Sequence, residues 1–244
     1  MKTREMCYHT PKGVMLKSYL ALPDDIKQPV PCIVVGPEWW GLTEHPKRIA
    51  ERLAAEGYAA LAIDVYGDGV STSDPSEAQR RMNEMLDDPK ELMDRAMAGS
   101  KELHHLPETC RDRMGAVGFC FGGKVVLDMA REGLKLKAVA TFHGNLAANE
   151  PAKPGDIKGE LLIAHGGDDT MVTMDVVEDF KKEMDSAGVT YELDIYEGAK
   201  HGFTNPKVDE KAAENDLDLA YNAAATEQSW QNMLQFFERT LKFE

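Results

Sequence analysis

At 244 residues the chain is long for one domain and short for two, and with 43% hydrophobic and 29% charged residues it can bury a core without disulfides or metals. Its 28 basic and 42 acidic residues give a formal charge of −14, which argues against nucleic acid and anionic membranes as partners, since both select clustered Lys and Arg. The cysteines at 7, 32, 110 and 120 form no CxxC pair, and no apolar stretch suits a signal peptide or a bilayer span, so reduced thiols and a cytoplasmic location are expected.

Val14–Leu20 reads as an early strand, closed by Pro23. Cys32–Val35 is a continuous apolar strand ending at Gly36-Pro37. Ile49, Ala50, Leu53 and Ala54 recur at helical spacing, with Pro46 near the start and Gly57 just beyond the end. Ala60–Val65 is the next strand, followed by two helices over roughly 74–86 and 88–104. Met114–Phe119 is a strand, Lys124–Arg131 a helix, and Ala138–Phe142 and Leu161–Ala164 are further strands around a surface loop at 145–160. Val176, Val177, Phe180 and Met184 mark a helix closed by Gly188, and Tyr191–Tyr196 is the last strand. Trp230, Leu234, Phe237 and Leu241 form the apolar stripe of a C-terminal helix. Strands apolar on both faces, separated by helices, predict a single α/β domain over residues 1–244: a mostly parallel central sheet with helices on both faces. In such folds the active site lies at the carboxyl ends of the strands.

The segment Gly118-Phe119-Cys120-Phe121-Gly122-Gly123 follows a strand and opens a helix. This is the context of a nucleophile elbow, with cysteine in place of serine. The glycines let strand and helix pass closely, and the helix N-terminus behind Cys120 favours a thiolate. The amide of Phe121 points the same way and suits an oxyanion. Such a nucleophile needs a base, and the base an orienting acid, in the chain order nucleophile, acid, histidine. The strand at 161–164 runs into His165-Gly166-Gly167-Asp168-Asp169, leaving either aspartate as the acid, and the strand at 191–196 leads to His201-Gly202-Phe203. His143 and His165 end strands and are read as lining residues. Glu38, in Gly36-Pro37-Glu38-Trp39-Trp40-Gly41, sits where such folds draw a second oxyanion donor; that donor is assigned to the Trp39 amide, with Glu38 placed to modulate the thiol.

Four motifs in this order resemble the dienelactone hydrolase family: Glu38-Trp39-Trp40-Gly41, the cysteine elbow, Gly166-Gly167-Asp168-Asp169 with Val172, and His201-Gly202-Phe203. The resemblance covers nearly the whole chain. It implies an α/β-hydrolase fold, hydrolysis of small carboxylic esters or lactones, no cofactor or metal, and a Cys120-His201-Asp169 triad with Glu38 as auxiliary carboxylate. It selects Asp169 because the family's aspartate stands three residues before a valine. It suggests Arg80 and Arg81 as ligands of a substrate carboxylate, while Asn205 stands where the namesake enzymes carry a second arginine. Trp39, Trp40, Phe121, Phe203, Met82 and Met85 are expected at the mouth of the site, a lining that favours neutral over anionic substrates. The oligomeric state stays open between monomer and homodimer.

Three other readings compete. A glutamine amidotransferase shares the cysteine elbow but carries its acid two residues after the histidine, where this chain has Phe203. A non-catalytic ligand-binding protein would show a lesion in the triad, and every member has a candidate here. A thiolate of this kind could also attack other activated electrophiles, aryl esters and phosphotriesters among them.

Overall fold

The structure is a computed structural model and describes residues 1–242. Its elements run β1 (Lys2–His9), β2 (Met15–Leu22), β3 (Val30–Gly36), α1 (Glu44–Ala55), β4 (Ala59–Ala62), α2 (Pro75–Asp87), α3 (Pro89–His105) and β5 (Thr109–Phe119). They continue with α4 (Phe121–Arg131), β6 (Ala138–Phe142), β7 (Glu160–Gly166), α5 (Met174–Ala187), β8 (Tyr191–Tyr196), α6 (Val208–Asn215) and α7 (Ala223–Phe237), then a π-helical turn over Glu238–Lys242. The strands are hydrogen-bonded in the order β1-β2-β4-β3-β5-β6-β7-β8. The pairs β1–β2 and β2–β4 are antiparallel, while β3–β4, β6–β7 and β7–β8 are parallel. The chain separates into two compact units, the division falling between Val117 and Gly118, inside β5.

In the first unit Cys32↔Ala59 sets the parallel register of β3 on β4. Both strands are buried almost throughout, which requires cover on both faces. Helices α1 and α3 supply it: α1 lies against β2, β3 and β4, and α3 against β1, β3 and β4. In the second unit α4 lies against β6, and α7 against β6 and β7. Asp74 and Asp88 each precede a proline and cap the helix that follows, accepting from the amides of Ser76 at 2.9 Å and Glu91 at 3.0 Å. These caps separate α2 from α3 where the sequence reading divides them.

Two elements escape that reading. Strand β1 is exposed at most of its positions and has no apolar face, so nothing in its own residues marks it; it is defined by eight register pairs with β2. Helix α6 is short and mostly polar, burying only Val208. The C-terminal helix also differs in form, since its α-helical part closes at Phe237 and the stripe continues into the π-helical turn. Among the described residues no helix is long and apolar enough to cross a membrane.

Just past β4 the carboxylate of Asp64 is buried and accepts four backbone N–H groups. Oδ1 accepts from Tyr66 at 3.0 Å and Gly67 at 2.8 Å, and Oδ2 from Lys17 at 3.0 Å and Gly69 at 2.7 Å. Its own amide donates to Ser18 Oγ at 2.9 Å. One side chain thus folds the turn after β4 back onto β2. Asp64→Ala strands four donors away from water, so it is expected to destabilise the protein by roughly 4 kcal/mol. Urea unfolding would measure the change, and a loss below about 1 kcal/mol would contradict this account.

Candidate active site

Each residue of the elbow-to-histidine series follows the carboxyl end of a strand. Cys120 comes after β5, His143 after β6, Asp169 after β7 and His201 after β8. Cys120 is the N-cap of α4 at φ 52° and ψ −117°, a conformation that costs an L-residue about 1–3 kcal/mol and persists only where surrounding contacts enforce it. Its amide donates to the Phe142 carbonyl at 3.0 Å, and its carbonyl accepts from Gly123 at 3.0 Å. The turn closes tightly enough that a Cβ on Gly118 would lie 2.0 Å from the Gly122 carbonyl oxygen, and one on Gly123 would lie 2.3 Å from Thr141 Oγ1. Behind the elbow, half-buried Arg131 of α4 pairs bidentately with Glu183 at 3.0 and 2.7 Å and donates to the Leu146 carbonyl at 2.8 Å. That network ties α4 to α5 and to the loop after β6.

His201 Nδ1 donates to Asp169 Oδ2 at 2.8 Å in a buried setting. Asp169 is held in turn by its own loop, Oδ1 accepting the amides of Met171 and Val172, each at 2.9 Å. The other carboxylate, Asp168, is exposed. The geometry therefore places Asp169, not Asp168, on the imidazole. Burial works against a charged His201, yet the charge of Cys120, hydrogen bonds with Asp169 and Cys120, and the charge of Asp169 together raise its pKa above that of a free imidazole. His201 thus stands between a thiol and a carboxylate.

Two further histidines surround it, both fully buried. His143, at φ 40°, meets the His201 ring edge-to-face at 5.2 Å and shares a 2.8 Å hydrogen bond between Nε2 and Thr204 Oγ1. His165 has its pKa lowered by burial, more than Asp169 raises it, and so stands neutral beside His201. Both strand-end histidines thus come to His201 itself, a placement that sequence order indicates only as far as the strand ends.

Several expected lining residues are placed differently. Phe203 is fully buried, packed edge-on against His143 at 5.3 Å and against Tyr196 at 5.6 Å, so it backs the histidine layer and presents no surface at a mouth. Asn205 is buried too, its Oδ1 accepting the Lys207 amide at 3.0 Å within its own turn. In the first unit Trp40 is buried beside the partly exposed Trp39, the rings 4.7 Å apart, and Met85 is buried while Met82 is partly exposed. The apolar side chains expected to be open are mostly core, because burying an aromatic ring outweighs leaving it in water. Glu38 is buried as well, at 3% exposure, and is not a solvated loop glutamate. The Tyr66 hydroxyl holds its loop by donating to the Trp39 carbonyl at 2.8 Å. On α2, Arg80 is exposed and pairs with Glu77 and Glu84, while Arg81 Nε lies 2.7 Å from Glu77 without hydrogen-bond alignment. Both arginines are thus occupied by carboxylates of their own helix.

Among the described residues no group of three or more His, Cys, Asp and Glu side chains is arranged to hold a metal ion.

The model of the dienelactone hydrolase family matches residues 16–241. A Yersinia pestis protein named "Putative carboxymethylenebutenolidase" is 28% identical over 237 residues, covering 93% of this chain and 84% of its own. One of the same name from Synechocystis sp. is 29% identical over 245 residues, covering 95% and 94%. Among solved structures, a dienelactone hydrolase-like promiscuous phosphotriesterase from metagenomic libraries superposes with a TM-score of 0.90 at 32% identity, covering 98% of each chain.

Proposed function

The chain belongs to the dienelactone hydrolase family and is an α/β-hydrolase acting on ester or lactone bonds, and from that premise we propose that it cleaves small neutral esters or lactones through Cys120, His201 and Asp169. The observation that carries this reading is the position of His201, hydrogen-bonded to Asp169 on one side and to Cys120 on the other. The Cys120 thiolate attacks the carbonyl carbon, forming the C–S bond while the carbonyl electrons move to oxygen. The Phe121 amide at the head of α4 is the proposed donor to that oxyanion; for the Trp39 amide and for Glu38 as auxiliary carboxylate the proposal stands on sequence order. Each such donor is worth about 3–4 kcal/mol of barrier. The intermediate collapses with loss of the alkoxide, which takes the proton of the His201 imidazolium. His201 then removes a proton from water as it attacks the thioester, and the acid leaves with the thiolate restored. One domain over the whole chain and a reducing, cytoplasmic setting for the four free cysteines complete the proposal.

Preference for neutral substrates is supported by the pairing of Arg80 and Arg81 with Glu77 and by the uncharged, buried Asn205. A carboxylate entering a partly buried site without fork-shaped donors loses hydration that nothing replaces. Neutral aryl esters and lactones are therefore expected to exceed carboxylate-bearing lactones of equal size by about tenfold in kcat/KM. Side-by-side kinetics at low and high salt decide it: faster turnover of the anionic lactone, weakened by salt and lost in Arg81→Ala, would reverse the assignment. The likeness to a promiscuous phosphotriesterase favours including a dialkyl aryl phosphate in the panel, since the same thiolate can displace an aryloxide from phosphorus.

A further inference from the structure

The loop after β7 that carries Asp169 and the loop after β8 that carries His201 are joined by more than the bond between those two residues. Asp216, at φ 50°, ends α6 and turns the chain back along the His201 loop. Leu219 forms a parallel bridge with His201, the Ala220 amide donates to the His201 carbonyl at 3.4 Å, and the Asn222 amide donates to the Phe203 carbonyl at 3.1 Å. From the middle of this segment Asp218 reaches both loops. Its Oδ1 accepts from Lys200 Nζ at 2.5 Å and its Oδ2 from the Thr170 hydroxyl at 2.6 Å. Lys200 immediately precedes His201, and Thr170 immediately follows Asp169.

We propose that Asp218 is a positioning residue for the hydrolysis, a carboxylate that helps to set the spacing of the acid and base loops by holding the chain neighbour of each. The inference rests on the roles proposed above for Cys120, His201 and Asp169. Each loop is internally braced: Asp169 is fixed by the amides of Met171 and Val172, and His201 by the segment beside it. Two backbone bonds also join the loops on the strand side, from the Gly167 amide to the Tyr196 carbonyl at 2.8 Å and from the Asp168 amide to the Ala199 carbonyl at 3.0 Å. Asp218 adds a tie beyond Asp169, through Thr170, and the 2.8 Å contact between Nδ1 and Oδ2 depends on both. Lys200 and Asp218 are each 43% exposed, so their attraction adds little to stability; their effect is geometric. Lys200 first, and then Thr170, keep Asp218 ionised by lowering its pKa. Asp168 also faces Lys200. His201 itself is faced by Cys120, Asp169, His165 and the ring of His143.

The test uses the full chain carrying Asp218→Ala, Lys200→Met or Thr170→Val, and the Asp218→Ala, Lys200→Met double variant. A neutral aryl ester supplies kcat and KM across pH, and iodoacetamide alkylation of Cys120 at pH 6 supplies a readout that needs no ester turnover. Asp218→Ala is expected to lower kcat about tenfold with KM within about twofold, because misplacement of a catalytic pair falls on the chemical step. The His201 proton is held partly by Asp169, so a looser contact releases it at lower pH. The alkaline limb of kcat therefore moves down, and alkylation at pH 6 slows as less thiolate is balanced by imidazolium. Lys200→Met and Thr170→Val each give part of the effect, and the double variant is no worse than Asp218→Ala alone. An unchanged limb and unchanged alkylation overturn the proposal, whether kcat stays level or falls together with Tm, since the second result marks structural support only. A wild-type chain that turns over no ester, yet shows alkylation dependent on Asp218, would remove the ester reading and leave the positioning role standing.

Discussion

Cys120→Ala is expected to abolish ester hydrolysis, with a loss of at least about 10⁴-fold in kcat, while the protein stays folded. The substitution deletes the sulfur and keeps the Cβ, so every backbone bond of the elbow is retained. Cys120→Gly is the sharper companion. A residue with a Cβ is strained at φ 52°, and glycine is not, so the glycine variant should be at least as stable as the alanine variant although both are inactive. Such a result would show strain maintained for the sake of the nucleophile's position. Alkylation offers a check in the wild type, where iodoacetamide should modify Cys120 before Cys32, whose thiol burial pushes up to about 12, and before Cys7, which its hydrogen bond to Glu5 raises. An alanine variant that keeps near wild-type turnover would remove Cys120 from the mechanism.

Asp169→Asn should lower kcat about 10⁴-fold, whereas Asp168→Asn should leave it within about threefold. The asymmetry follows from three hydrogen bonds. An asparagine at 169 must turn its one oxygen toward the amides of Met171 and Val172, which donate at 2.9 Å on the side away from His201. Its NH₂ group then faces His201 Nδ1, which must accept and thereby lose its proton. The remaining tautomer carries its proton on Nε2 and cannot take one from the thiol there. The pH dependence has a definite sign. The raised His201 pKa means that the imidazolium persists above the ordinary imidazole range and is lost only as pH rises through the elevated value. Removing Asp169 takes away one of the causes of that elevation, so the alkaline limb of kcat must move to lower pH. Paired kinetics on the two variants test the assignment, and equal or reversed losses would shift the acid to Asp168.

The parts of this molecule that were legible in its sequence are those whose cause is local. Strands such as Cys32–Val35 and Ala138–Phe142 announce themselves because both faces are apolar, and the helices between them because their apolar residues recur at helical spacing. The elbow is legible because strain at Cys120 and close approach at Gly118 impose residue types within six consecutive positions. His201 follows from chain order and the end of its strand; the same order leaves Asp168 and Asp169 both open, and the resemblance to the family selects Asp169. The fold class, the family and the three residues proposed to do the chemistry therefore come from the sequence alone. The tertiary structure decided whatever depends on residues far apart in the chain. Strand β1 exists because β2 offers it a partner, since its own residues have no apolar face. The carboxylate of Asp64 reads as a loop aspartate until four amides from two segments converge on it. Phe203 and Trp40 look like lining residues beside their motifs and are core, because burial is set by what covers a side chain and not by its neighbours in sequence. Asp218 stands between Leu217 and Leu219 in a segment that belongs to none of the motifs, and only the path of the chain after α6 brings it to Lys200 and Thr170.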